Sequence, residues 1–155
     1  MTDKTFKAVV DVVKGMEVHS QVRDFTFVMD EPVASGGSNK GMNPIEALLS
    51  ALGGCKAIVI QAFAKAHHMN IQKASLTIEG TLDVDGFRGT NPNAKIGLGV
   101  IKTTYHIQAD NTKEEIEEFI EFVDHTCPVR DTLAHSPELE TESVSYTHLT
   151  LPTKA

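Results

Sequence analysis

Residues 43–68 read NPIEALLSALGGCKAIVIQAFAKAHH, and this stretch decides the fold because it predicts one long, unusually apolar helix. Asn43 can cap the free N–H groups at the helix start, and Pro44 fits the first turn, where its missing N–H costs nothing. From Ile45 to about His68, apolar side chains recur at helical spacing. One face collects Leu48, Ala51, Leu52, Cys55, Ile58, Val59, Ala62 and Ala66.

The pair Gly53–Gly54 lies in the middle of this predicted helix. Each glycine costs about 1 kcal/mol in helix propensity relative to alanine. Such a pair permits either a bend in the helix or the close approach of another backbone. Because so few charges interrupt the apolar pattern, the helix is expected to be the central core element, contacted on more than one side.

The flanking segments alternate apolar and polar residues, which predicts half-buried strands. The alternating segments are residues 6–29, 75–84 and 96–109. Turns are expected at Lys14–Gly15, at Ser20–Gln21 and in the connection around 85–93, and a Gly- and Ser-rich loop is expected at 31–41.

A second helix is predicted from about Thr112 to His125, with Thr112 and Glu115 in a capping-box pattern. A short helical turn should follow Cys127–Pro128, and residues 138–146 should form a last strand. The order β-β-β-α-β-β-α-β gives an α+β class. We expect one domain over 1–146 and interpret 147–155, which shows neither period, as a disordered or foreign tail.

Composition excludes several classes of protein. The 155 residues carry 14 basic and 21 acidic side chains, a net charge of −7, which disfavours binding to nucleic acid. The longest apolar run, Ala57–Ala64, is broken by Gln61, so no membrane span is expected. The N-terminus lacks a signal-peptide core, which predicts a cytoplasmic location, where two cysteines are not a structural disulfide framework.

The two cysteines either fill space in the core or take part in a reaction. Cys55 lies on the apolar helix face, where a buried thiol is normally inert. Cys127 precedes Pro128 at a helix start, where N–H groups favour a thiolate, although it could simply cap the turn. Their spacing fits neither a C-x-x-C motif nor a zinc site, so we expect no metal and no cofactor. A redox pair remains possible only if the helix ends meet in space.

Two motifs resemble the OsmC/Ohr superfamily of osmotically induced and organic-hydroperoxide-resistance proteins. The first begins with Gly36–Gly37 and continues as NPIEALLSALGGC at 43–55. The second is Cys127–Pro128–Val129 with Thr132–Leu133. The combination is specific, whereas either motif alone would be weak, and the similarity extends over about residues 5–146.

This resemblance implies an OsmC-like fold, with antiparallel sheets around two central helices, in an intertwined homodimer. It also implies a thiol peroxidase that acts in oxidative stress defence. Cys55 matches the peroxidatic cysteine, which attacks an alkyl or lipid hydroperoxide, and Cys127 matches the resolving cysteine. A dithiol such as a lipoylated protein would then reduce the disulfide.

The chain departs from the best-known members in the groups that support the thiolate. Their glutamate directly follows Asn-Pro, whereas here Glu46 comes one residue later, about 180° around an ideal helix from Cys55. Their arginine in the first hairpin is missing, and Lys14 and Arg23 are the nearby cations that could replace it. Arg130 is a further cation, expected to be exposed. The helix start instead resembles the YhfA-like branch of the superfamily.

Two other functions remain open at this point. The same scaffold could be a non-catalytic protein that binds a small hydrophobic ligand at the dimer interface. It could also be a thiol redox regulator of other proteins, although the distant spacing of the cysteines argues against a thioredoxin-like mechanism.

Overall fold

The computed structural model describes residues 2–146 and begins with a three-stranded antiparallel sheet. Its strands are β1 (Val9–Lys14), β2 (Glu17–Val22) and β3 (Phe25–Met29). The turn predicted at Lys14–Gly15 joins β1 to β2. The turn predicted at Ser20–Gln21 is wrong, because both residues continue the pairing of β2 with β3. The chain reverses instead next to Arg23, whose φ is 53°.

The loop after β3 is organised around a buried carboxylate. Asp30 is 1% exposed and accepts hydrogen bonds from the backbone N–H groups of Glu31 (2.8 Å), Ser38 (3.0 Å) and Lys40 (3.2 Å). These bonds fold the predicted loop back onto the end of β3. Gly37 lies so close to this turn that a Cβ there would be 1.9 Å from the carbonyl oxygen of Glu31.

The central helix α1 (Pro44–Phe63) begins as the sequence predicts. The Asn43 side chain accepts from the N–H of Glu46 at 2.9 Å, and the Glu46 carboxylate accepts from the N–H of Asn43 at 2.8 Å, which completes a capping box. The helix ends at Phe63, earlier than predicted. His68 has a φ of 54°, so the chain turns there although the apolar pattern continues.

One side of α1 packs against the strand that follows it, and the opposite side is exposed to solvent within the described chain. Leu52, Lys56, Val59 and Ile60 are buried, whereas Ile58, on the predicted core face, is 69% exposed to solvent within the described chain. The helix is continuous through Gly53–Gly54, so these residues do not mark a break. A Cβ at Gly53 would lie 3.0 Å from Cγ1 of Ile78, which shows close packing against the following strand.

That strand belongs to a long antiparallel pair. The pair consists of β4 (Ile71–Leu82) and β5 (Leu98–Ala109). The connection, predicted as turns, contains a short helix, α2 (Val84–Arg88). Asp83 starts this helix by accepting a hydrogen bond from the N–H of Asp85 at 2.9 Å.

Two further helices follow β5. They are α3 (Lys113–Thr126), which begins with the predicted capping box of Thr112 and Glu115, and α4 (Pro128–Ala134). The core forms where α1 meets α3 and consists of Val59, Ile60, Met69, Phe119 and Val123. The sheets, helices and their order agree with the predicted α+β class.

The predicted last strand is wrong. Residues 138–146, all of which the structure describes, form no strand, and Leu139 and Tyr146 are 87% and 80% exposed. Alternating side chains favour a strand only where a neighbouring strand can pair with the backbone, and the described chain offers none at this position. The predicted tail at 147–155 lies outside the described residues.

By length and composition alone, α1 could cross a membrane. An 18-residue window of it reaches a mean hydropathy of 1.5, and 22% of that window is buried. The sequence prediction considered only unbroken apolar runs and therefore did not find this segment. The core helix of a soluble protein meets the same criterion, so the finding is weak evidence for a span.

We expect Gly37→Ala to lower the free energy of unfolding by about 2 kcal/mol or more, because its Cβ would collide with the Glu31 carbonyl. Gly97→Ala is the matched control, because no described atom lies within 4 Å of a Cβ there, and it should change stability by less than about 0.5 kcal/mol. Urea denaturation of both variants measures the difference. Equal stabilities would contradict the close contact at Gly37.

Candidate active site

The two cysteines meet where the middle of α1 faces the junction of α3 and α4. Cys127 is completely buried and forms the cap at that junction. Its Sγ accepts a hydrogen bond from the N–H of Arg130 at 3.4 Å, as expected for a sulfur at a helix start. Cys55 is partly buried, and both residues are free thiols.

The ionisation of Cys55 is governed by groups from α1 and α4. Burial raises the pKa of the Cys55 thiol above its ordinary value, the backbone N–H of Val129 lowers it, and a hydrogen bond with the neighbouring Cys127 thiol raises it. The positive charge of Lys56 lowers it. The net effect is a raised pKa, so the thiolate of the single protomer depends on the nearby amide and ammonium groups.

Lys56 carries a buried positive charge beside the thiols. The residue is 4% exposed, and its Nζ lies 2.7 Å from Oδ1 of Asp124 on α3. The same ammonium group donates to Oγ1 of Thr103 on β5 at 2.9 Å and lies 5.4 Å from the ring centroid of Tyr105. Side chains from two elements, α3 and β5, therefore converge on this lysine of α1.

Tyr105 and Asp124 extend this polar cluster. The Tyr105 hydroxyl donates to Oδ1 of Asp124 at 2.6 Å. Burial acts to raise the pKa of Asp124, but hydrogen bonds from Lys56 and Tyr105 and the charge of Arg130 hold it below the usual value. Burial, the hydrogen bond to Asp124 and the adjacent Cys127 raise the pKa of Tyr105. The cluster therefore contains an ionised carboxylate and a neutral phenol at neutral pH.

The thiolate supports predicted from the sequence lie elsewhere within the single protomer. The Glu46 carboxylate is occupied by the cap of α1, and the Arg23 guanidinium lies 4.9 Å from the Phe25 ring centroid on an exposed hairpin. Lys14, at the end of β1, is also exposed. Arg130 was expected to be exposed, but it is partly buried, and its charge helps to lower the pKa of Asp124.

The sequence analysis did not identify Lys56 as a site residue. A signal was available, because a lysine directly after Cys55 interrupts an otherwise uncharged helical segment. Its partner Asp124 could not be recognised in the same way. It lies 68 residues further along the chain in a helix rich in acidic residues, where a single inward-facing carboxylate has no distinguishing pattern.

An open groove of about 530 Å³ runs between α1 and β4, on the side of α1 where the two glycines lie. Its walls are mainly small and apolar, and they include Leu49, Gly53, Ala57 and Ile78. Cys55 does not line this groove, so a molecule bound there would not lie directly against the thiol.

Comparisons with known proteins identify a family and its fold. The family described as OsmC-like protein matches residues 37–142. A hydroperoxide reductase of Mycoplasma genitalium is 36% identical over 96 residues, which span 61% of this chain and 64% of that protein. A hydroperoxide reductase of Mycoplasma pneumoniae is 34% identical over 102 residues, 65% of this chain and 68% of that protein. The first alignment thus spans less than two thirds of the relative.

Solved structures show the same fold. The crystal structure of an OsmC-like protein from Mycoplasma pneumoniae superimposes with a TM-score of 0.76 at 28% sequence identity. The superposition covers 87% of this chain and 91% of that chain. The fold predicted from the resemblance, with antiparallel sheets and central helices, is therefore confirmed.

We expect Asp124→Asn to lower the free energy of unfolding at pH 7 by about 1–3 kcal/mol, because it leaves the Lys56 ammonium buried without its counter-ion. The folded-state pKa of Asp124 is depressed below 3.8, so its stabilisation is complete above that pH and disappears as pH falls through the lower value. The difference between wild type and variant should therefore shrink at pH 3. Urea denaturation at both pH values measures it.

Asp131→Asn is the matched control, since its ion pair with His135 is solvent-exposed. Exposed pairs contribute about 0–1 kcal/mol, so this variant should remain close to wild type at both pH values. If the two variants behaved alike, the buried pair would not stabilise the fold.

Proposed function

The chain belongs to the OsmC-like protein family, and we propose that it is a cysteine-based peroxidase that reduces organic hydroperoxides. The names of its relatives support a peroxide-related redox role. The observation that carries the proposal is the meeting of Cys55 and Cys127 beside a backbone amide and a buried ammonium group. Such surroundings suit a thiolate nucleophile and a second thiol that resolves its oxidised form.

The proposed reaction begins with attack of the Cys55 thiolate on one peroxide oxygen. The S–O bond forms as the O–O bond breaks, and the departing alkoxide takes a proton and leaves as an alcohol. Cys55 is now a sulfenic acid. The Cys127 sulfur then attacks the Cys55 sulfur, the S–S bond forms, and the hydroxyl group leaves with a proton as water. A dithiol such as a lipoyl group reduces this disulfide by thiol exchange and becomes a disulfide itself.

The substrate class follows from what surrounds Cys55 on α1. Leu52 and Val59, which lie within one turn on either side, are both buried and apolar. Cys55 therefore lies among apolar side chains, and such surroundings suit an alkyl or lipid chain better than a small, strongly hydrated oxidant. This supports an organic hydroperoxide as the preferred substrate over hydrogen peroxide.

We propose that the protein works as a homodimer. Apolar side chains that a single protomer leaves largely exposed form an unusually extensive set, which includes Val12 (81%), Phe25 (63%), Ile58 (69%), Phe87 (72%) and Tyr146 (80%). Large exposed apolar surfaces mark interaction sites. A second copy would cover the open side of α1 and could supply a strand partner for residues 138–146. It could also bring Arg23, Lys14 or Glu46 to a thiol of its partner.

An alternative is a non-catalytic protein on the same scaffold that binds a small hydrophobic ligand. The open groove between α1 and β4 is the observation that favours it. In that case the thiols would be packing or redox-sensing residues, and no hydroperoxide would be consumed. A role as a thiol redox regulator of other proteins is less well supported, because Cys127 is completely buried and inaccessible to a protein substrate.

We expect Cys55→Ser to abolish consumption of cumene hydroperoxide in the presence of a dithiol, because the nucleophile is lost. Cys127→Ser should retain the first step but form no disulfide, so that oxidised protein accumulates a sulfenic acid that dimedone traps on Cys55. Substrate loss and peptide mass spectrometry measure the two outcomes, and each variant serves as the control for the other. Wild-type protein that leaves the hydroperoxide untouched but retains an apolar ligand after purification would favour the binding alternative.

We expect Ile58→Asp to convert the dimer into monomers, because a carboxylate would be buried in the proposed interface without a partner. Lys113→Asp is the control, since this side chain is 81% exposed on the solvated face of α3, and it should leave the dimer intact. Light scattering after size-exclusion chromatography gives the molar mass. A monomeric wild type, or a dimeric Ile58→Asp protein, would contradict the proposed interface.

A further inference from the structure

We propose that Lys56 and Asp124 form a buried charge pair that controls how readily Cys55 ionises: Lys56 supplies the positive charge that favours the thiolate, and Asp124 limits it. Both are positioning residues that act on the cysteine without reacting. The inference rests on the proposed role of Cys55 as the nucleophile.

The fold holds this lysine in place. Lys56 follows Cys55 directly on α1, so their Cα atoms lie about 3.8 Å apart, and the positive charge of Lys56 acts on the Cys55 thiol. Its Nζ is bound by Asp124 at 2.7 Å and by Thr103 at 2.9 Å, and only 5% of the side chain is accessible to solvent. An ammonium group so held can neither swing into water nor be screened effectively by salt, and its charge acts on the adjacent thiol.

A buried lysine needs a counter-ion, because the transfer of an isolated charge from water into a protein interior is very costly. Asp124 provides it, and the Tyr105 hydroxyl that donates to Oδ1 of Asp124 at 2.6 Å withdraws part of the negative charge from the pair. The carboxylate therefore keeps Lys56 in the fold while only partly cancelling its effect on Cys55.

The charges around Cys55 can be counted element by element. α1 contributes Lys56, α3 contributes Asp124, and α4 contributes Arg130, whose charge acts on Asp124 and Tyr105. β5 contributes Tyr105 and the uncharged Thr103, and the residues that β4 packs against α1, Ile78 and Gly80, carry no charge. With the phenol neutral, the cluster carries one net positive charge. Of these charges, Lys56 acts directly on Cys55.

The arrangement makes a prediction that a purely structural ion pair would not. Lys56→Met and Asp124→Asn break the same bridge, but the first removes a positive charge and the second removes a negative one. The rate of Cys55 alkylation by iodoacetamide, followed against pH by peptide mass spectrometry, reports the thiolate population of each protein. Cys127 is completely buried, so Cys55 is the accessible thiol.

We expect the two single variants to change the alkylation rate of Cys55 in opposite directions. At pH 7, Lys56→Met should alkylate about threefold to tenfold more slowly than wild type, with its pH profile moved toward alkaline pH. Asp124→Asn should alkylate faster by a similar factor, with its profile moved toward acidic pH. The double variant should fall between the two, although it lacks the bridge entirely. Lys113→Met, which breaks the exposed pair with Glu117, is the control and should match wild type.

The inference is overturned if both single variants shift in the same direction, which would indicate a general loosening of the fold, or if neither shifts. Thermal unfolding of each protein separates loosening from electrostatics. Should Lys56→Met fail to fold, Lys56→Gln takes its place and must show the alkaline shift, because loosening would relieve the burial that raises the pKa of the Cys55 thiol and would move the profile the opposite way.

Failure of the proposed function has a different signature. Alkylation requires no hydroperoxide, so opposite shifts in proteins that consume no cumene hydroperoxide would contradict the peroxidase and leave the charge control of Cys55 intact. If wild type consumes cumene hydroperoxide but the pH profiles of the variants do not shift, the peroxidase is supported and the charge control of Cys55 is contradicted. The two measurements on the same five proteins therefore separate the two proposals.

Discussion

Both the packing of the helices and the proposed chemistry depend on the ion pair between Lys56 and Asp124. It joins α1 to α3 across 68 residues of sequence, and the bond from Lys56 to Thr103 adds β5 to the same contact. Because only 5% of the Lys56 side chain is exposed, separating it from Asp124 would leave a buried charge without a partner, at a large cost in free energy. Asp124 lies in the last turn of α3, directly before the junction with α4 where Cys127 forms the cap.

The site must combine an apolar environment with a Cys55 thiol that can ionise. An apolar substrate favours a site lined by residues such as Leu52 and Val59, yet that environment raises the pKa of the Cys55 thiol. A fixed ammonium group and the amide of Val129 oppose the rise without exposing the site to water. The OsmC-like scaffold thus places a charged lysine on the same buried side of α1 as the apolar residues Leu52 and Val59.

Local signals predicted well those parts of the fold that depend on local interactions. The caps at Asn43 and Thr112 and the helix start at Cys127 all formed as predicted, because a cap involves residues only three positions apart. Boundaries that depend on tertiary contacts were predicted less well. α1 ends at Phe63 because the chain must turn at His68 to enter β4, and residues 138–146 form no strand because the described chain gives them no neighbour to pair with.

The sequence by itself was enough to predict which two cysteines matter, which helices carry them and which family the chain belongs to. Each of these rests on periodicity, capping or a short motif, which are properties of neighbouring residues. Only the tertiary structure decided which charges lie next to Cys55. Glu46, Arg23 and Lys14 were reasonable candidates by position in the chain, but the protomer brings Lys56, Asp124 and Tyr105 together instead. Electrostatic influence depends on distance in space and on burial, and neither is encoded by spacing along the chain.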